Sequence, residues 1–194
     1  ADPLKLLDAA PVTDGGAAVV IASEEIARNL CDSPIWIRGS GHATDSIALH
    51  DREDITTLSA TKHAAERAFT MAGLDRADID LAEVHDCFTI AELVALEDLG
   101  FVKKGHAASF IAEGQATMGG RLPVNLSGGL KAKGHPVGAS GVAQAIEATL
   151  QLRADAGKRT VSGAQYALTH SVGGSGGSAV VHIFSRNRPE GDAA

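Results

Sequence analysis

A chain of 194 residues with 44% hydrophobic and 21% charged residues is long enough to bury a core and lies in the soluble globular range. A net charge of −7 excludes a general affinity for nucleic acid or for an anionic membrane, both of which need a basic face. Cys31 and Cys87 are the two cysteines; they stand far apart with no pairing pattern, which argues against a disulfide framework and for a reducing compartment, the cytoplasm.

In chain order, Ala1 to Ala10 lacks the basic and then apolar anatomy of a signal peptide, and no later apolar run approaches the roughly 20 residues of a membrane-spanning helix. A first residue other than Met suggests processing or a start inside a longer gene. Residues 14–22, DGGAAVVIA, read as a strand, followed by a short helix capped by Ser23 and stopped by Pro34. PIWIRGSG is a second strand. LSATKHAAERAFTMAGL places Ala64, Ala65, Ala68, Phe69 and Ala72 at helical spacing and closes with Gly73.

DIDLAEVH reads as a third strand, and FTIAELVALEDLGF as a helix with one broad apolar face. A loop-rich stretch with few apolar anchors follows, from Val102 to Gly129. ASGVAQAIEATLQLRADAG carries the strongest helical signal, with Ser140 as cap and Gly157 as terminator. QYALTH and SAVVHIFSR are strands joined by a Gly-rich turn, which predicts an antiparallel hairpin inside a mixed sheet. Cys31 reads as packing without polar company. Strands alternating with helices give an α/β layered sheet with helices on both faces.

Polar chemistry collects at three strand or helix ends: HDCF (His85 to Phe88), GHP (Gly134 to Pro136) and HSVGG (His170 to Gly174). Gly134 and Gly138 permit positive φ and close approach of a ligand, while Pro136 stiffens the loop and the helix behind presents N–H groups. Either His135 serves chemistry there or it caps and packs a loop, the commoner fate of such a residue. Cys87, at a strand-to-helix junction, is either a small buried hydrophobe or a thiol whose pKa nearby N–H groups and imidazoles lower, able to act as nucleophile or as acid/base. A phosphate loop beginning at Gly129 fails because His135 and Pro136 replace its Lys and Ser/Thr; a dinucleotide fingerprint at Gly174 and Gly176 fails because no helix follows. Zinc held by His85, Cys87, His135 and His170 has acceptable ligand types but matches the spacing of no zinc ribbon or finger, so no metal is expected.

HDCF, NLSGGLKAKGHPVGASG and HSVGGSGG, in this order, resemble the C-terminal half of a thiolase, of the branch similar to sterol-carrier-protein thiolases and prokaryotic acetyl-CoA acetyltransferases. DGGAAVV is similar to the last strand of that family's N-terminal half. The resemblance covers almost all of this chain but about half of a typical member. It implies a layered αβαβα architecture with a mixed five-stranded sheet, divided as residues 1–33 (remnant of the N-terminal domain), 34–186 (C-terminal domain) and 187–194 (polar tail). It also implies ping-pong making or breaking of a carbon–carbon bond beside a CoA thioester, the thioesters being substrates with no covalently bound cofactor.

By the same resemblance, His135 activates a nucleophilic cysteine and donates to the thioester oxygen, and His85 helps build the first oxyanion hole. Phe88 lines the acyl and pantetheine pocket, and the Val172 N–H belongs to a second oxyanion hole. His170 occupies the place of the commoner acid/base cysteine, so that Cys87 takes that role with His170 close by. Neither Cys31 nor Cys87 fits the nucleophile's place. The chain alone is therefore expected to be inactive and to need an N-terminal half, in a homo-oligomer. A related reading is a retro-aldol lyase acting on acyl-CoA side chains with a small OB-fold partner; a third is a non-catalytic assembly or CoA-binding module.

Overall fold

Alternation decides the sheet. In β4 (Ser178–Ser185), Ala179, Val181 and Ile183 turn to one face and Val180, His182 and Phe184 to the other, the period of a strand buried on both sides. The computed structural model describes residues 2–189. β4 pairs antiparallel with both β1 (Trp36–Thr44) and β3 (Tyr166–Gly173), and β3 pairs parallel with the short β2 (Leu81–Glu83), giving the order β1-β4-β3-β2. The predicted hairpin of β3 and β4 is present, and Arg52 pins its tip by donating to Ser175 O at 2.6 Å and Ser46 O at 3.0 Å.

The predicted mixed sheet therefore has four strands among the described residues instead of five. At the outer edge of β2 the fifth position is reduced to a parallel bridge between Ala82 and Val124. Pro123 has no N–H to extend the pairing, and Asn125 leaves the extended region at φ 51°.

Two long helices cover the faces. α2 (Ser59–Ala72) buries Ala60, Ala64, Ala65, Ala68, Phe69 and Ala72 and ends at Gly73 in the left-handed region, as its spacing predicted. Its small residues lie so close to β1 that a Cβ on Gly39 or Gly41 would run into the carbonyl oxygens of Ala68 and Ala64. On the opposite face α6 (Ser140–Arg153) packs Ala148 and Leu152 against Leu81, Ala167 and Phe184. Its expected cap and terminator are displaced: Ser140 is the first helical residue, and the left-handed stop is Ala154, three residues before Gly157.

The helix predicted behind HDCF is α3 (Thr89–Asp98). Its acidic end holds two other helices: Asp98 accepts from Leu58 N at 2.7 Å at the start of α2, and Glu97 accepts from Ala107 N at 3.1 Å at the start of α4 (Ala107–Ala112). α4 lies inside the stretch read as loop, with Ala107 and Phe110 as its buried pair. Residues 14–22 form no strand; they run exposed to α1 (Glu24–Leu30), because no described strand edge lies beside them to pair with. Of the polar tail expected at 187–194, residues 190–194 lie outside the described residues.

Candidate active site

Two loops leave the sheet at the carboxyl end of β2 and are buttoned together by buried polar side chains. The first is Val84 to Phe88; the second runs from Asn125 through the short α5 (Gly129–Lys133) to Gly138. Glu83, 1% exposed, accepts from the Ser127 hydroxyl at 2.5 Å and the Ser127 N–H at 3.1 Å. Val84 N–H donates to Asn125 Oδ1 at 2.8 Å, and Asn125 Nδ2 donates to Glu92 on α3 at 2.9 Å. Burial pushes the Glu83 and Glu92 carboxyls above the usual carboxylate range. Asp86 accepts from Leu130 N at 2.7 Å and Lys131 N at 3.2 Å. A strip of the amino-terminal segment crosses both loops: Ala10 N–H donates to Cys87 O at 2.8 Å, and His135 N–H donates to Pro11 O at 3.1 Å.

This buttoning brings His85 and His135 edge to face, with ring centroids 5.0 Å apart and an interplanar angle of 81°. His85, Cys87, Phe88, His135, Gly138 and Val172 line one cleft of about 1560 Å³, whose other wall includes Val19, Val20, Ile21 and Leu30. That volume exceeds the roughly 300–1,000 Å³ of an ordinary small-molecule pocket. The Ser140 hydroxyl donates to Pro136 O at 3.0 Å and lies 2.8 Å from His135 Nδ1. With its one hydrogen committed to the carbonyl, the hydroxyl accepts from Nδ1–H, and His135 Nε2 is left with a lone pair, the tautomer of a base.

His85 is held neutral down to about 4, first by burial and then by the neighbouring His135. His170 is depressed to about 3, again by burial first and by His85 second. The expected low-pKa thiol is not found. Burial raises Cys87, and the nearby Asp86 adds to it; the N–H of Phe88 offsets only part, and a buried neutral His85 supplies no positive charge.

Both buried imidazoles titrate near 6.5 once unfolded, so the stability they contribute is full above that value and is lost as the pH falls through 4 toward 3. Urea unfolding should show a free energy that drops below pH 6.5 with a slope of up to about 1.4 kcal/mol per pH unit for each imidazole, and His170→Gln should flatten it. Glu83 and Glu92, raised by burial, act in the opposite sense over part of this range, so the test is the difference between the two proteins: a His170→Gln profile parallel to that of the unmutated chain would contradict the burial of His170.

His170 does not line the cleft. Alternation along β3 turns Leu168 and His170 toward α2, where His170 Nε2 meets Thr61 Oγ1 at 2.9 Å, and leaves Thr169 and Ser171 along the cleft; Val172 also borders the cleft, near the end of the strand. Gly138 lines the cleft without the positive φ expected of it, whereas Gly134 has φ 91°. Cys31 does have polar company: Arg153 Nη2 donates to its Sγ at 3.2 Å. Asp86, Asn125, Glu92 and Ser140 were missed as site-building residues; the available signal was the pairing of an acid inside HDCF with adjacent glycines, Gly128 and Gly129, in the second loop. Among the described residues no group of three or more His, Cys, Asp or Glu side chains is placed to hold a metal ion, and no helix is long and apolar enough to cross a membrane.

A family model described as thiolase C-terminal domain-like matches residues 41–186. The acetyl-CoA acetyltransferase of Methanothermobacter thermautotrophicus is 54% identical over 186 residues, covering 96% of this chain and 49% of its own. Sterol carrier protein 2 of Oryctolagus cuniculus is 40% identical over 194 residues, covering 97% of this chain and 35% of its own. A solved Ltp2-ChsH2(DUF35) aldolase superposes with a TM-score of 0.85 at 27% identity, covering 97% of this chain and 49% of that one. The chain thus spans half or less of the length of these relatives.

Proposed function

The chain belongs to the thiolase C-terminal domain-like family, and from that premise we propose that it is the carboxy-terminal part of a thiolase-type acyl-CoA acyltransferase, active beside an amino-terminal half that supplies the nucleophilic cysteine. The carrying observation is one cleft wall holding His85, Cys87 and His135, with the two imidazoles in contact. The 54% identity to an acetyl-CoA acetyltransferase, over half of that protein, supports the same reading. Residues 1–33 are then the end of the amino-terminal domain and 34–186 the carboxy-terminal domain. The exposed Val20, Ile21, Leu30 and Val137 support packing against that half and assembly into an oligomer.

In this reading His135 Nε2 takes the proton of the attacking thiol and then, as imidazolium, donates to the oxygen that becomes negative when the sulfur–carbonyl bond forms. As the oxyanion collapses the thioester C–S bond breaks, His135 returns its proton so that CoA leaves as its thiol, and the acyl group stays on the partner cysteine. His85, neutral, donates one N–H to the oxyanion, the Val172 N–H serves the second oxyanion and Phe88 lines the acyl path. Cys87 handles the α-carbon proton. Kept protonated by burial, it is poised to deliver that proton when 3-ketoacyl-CoA is cleaved, and must first lose its own when the bond is made. His170, turned toward α2 and paired with Thr61, lies off the cleft and takes no direct part in this reading.

A second reading, retro-aldol cleavage of an acyl-CoA side chain with an OB-fold partner, is favoured by the superposition on an aldolase. Mixing the chain with the amino-terminal half and assaying acetoacetyl-CoA thiolysis tests the first reading: the pair should turn over and the chain alone should not. No thiolysis from the pair, with cleavage of a β-hydroxyacyl-CoA instead, would replace it with the second.

A further inference from the structure

Asp86 sits between two cleft residues and is itself turned away from the cleft. His85 and Cys87 line it, while the Asp86 side chain is 4% exposed and absent from the lining. Its two oxygens accept the backbone N–H groups of Leu130 and Lys131, the second and third residues of α5. Gly129 is fitted to this contact: at φ 60°, a Cβ there would collide with the same carboxylate. α5 is five residues long and bounded by Gly128 and Gly134 with φ of 97° and 91°, so its own hydrogen bonds do little to fix where the chain emerges at His135.

We propose that Asp86 is the positioning residue of this site: by gripping the first turn of α5 it sets the separation of His135 from the His85 and Cys87 that flank it in sequence. The residue that joins the two cleft side chains is thereby the one that measures out the third, so the three move as a unit. This deepens the acyltransferase reading and rests on it for the kinetic arm of the test. A carboxylate is suited to the role because it accepts at both oxygens; an amide at the same place must turn its NH₂ against an N–H donor.

The test is Asp86→Asn, examined in two ways. By NMR on the chain itself, cross-relaxation between the His85 and His135 ring protons, expected from rings 5.0 Å apart, should weaken or vanish, and the Leu130 and Lys131 amides should exchange faster. In the reconstituted pair, kcat should fall on the order of 100-fold, the cost of a misplacement near 1 Å, with KM held within about twofold. An unchanged ring contact with unchanged kcat overturns the proposal. So does a fall in kcat matched by a rise in KM, which marks general loosening.

Should Asp86→Asn fail to fold, Asp86→Glu keeps both acceptors but drives them against Gly129; it should fold and lose kcat similarly, and full activity in that variant also overturns the proposal. If the unmutated pair shows no turnover, the acyltransferase reading fails and the ring contact alone decides the role of Asp86.

Discussion

Replacing His135 with Gln in the reconstituted pair is expected to lower kcat for acetoacetyl-CoA thiolysis by on the order of 10³-fold while leaving KM almost unchanged. The asymmetry follows from when His135 acts. Its Nε2 takes a proton as the nucleophile attacks and stabilises charge that exists only afterwards, so its removal costs the transition state and not the bound substrate. Ser140→Ala gives the graded version. Without the hydroxyl at 2.8 Å from Nδ1 the tautomer is no longer specified, and a loss of about tenfold is expected, the lower end of what an outer hydrogen bond to a functional imidazole supports. Steady-state rates of the two variants beside the unmutated pair check both; His135→Gln with full activity would remove His135 from the chemistry.

Cys87→Ala is expected to separate the two half-reactions. With acetyl-CoA as the only substrate, transfer of the acetyl group to the partner cysteine needs no α-carbon proton and should persist as a single burst of released CoA, while steady turnover in either direction falls by about 10²- to 10⁴-fold because the α-carbon proton has no carrier. The pH dependence adds a sign. Burial raises the Cys87 thiol above its ordinary 9.0, so at neutral pH the acid form dominates. Carbon–carbon bond formation, which needs the thiolate, should climb with pH up to the raised value above 9, and cleavage, which needs the thiol, should stay level and decline only beyond it. Initial rates in both directions from pH 7 to 10 measure it; parallel profiles would take the proton step away from Cys87.

Periodic elements were legible in the sequence because their signal is local. The alanines of α2 and the alternation in β3 and β4 state their faces within a few residues, and the Gly73 stop needs only its own backbone freedom. Elements whose ends are secured from a distance were not. α4 begins where Glu97, ten residues away, accepts the Ala107 N–H, and nothing around Ala107 announces it. Residues 14–22 have the composition of a strand, but a strand also needs a neighbour, and among the described residues none lies beside them. The chemical motifs were visible as motifs, yet the face on which His170 falls depended on the register of β3, and the thiol's environment depended on burial that no neighbour in sequence reveals.

The ribbon of chain at residues 9–13 has a practical corollary for protein engineering. Since Ala10 holds the Cys87 backbone and Pro11 holds that of His135, this strip acts as a spacer bar stitched to both loops. A chimaera that joins this chain to a foreign upstream module should keep its splice point before residue 9, so that the bar travels with the loops it spaces and the transplanted site keeps its dimensions.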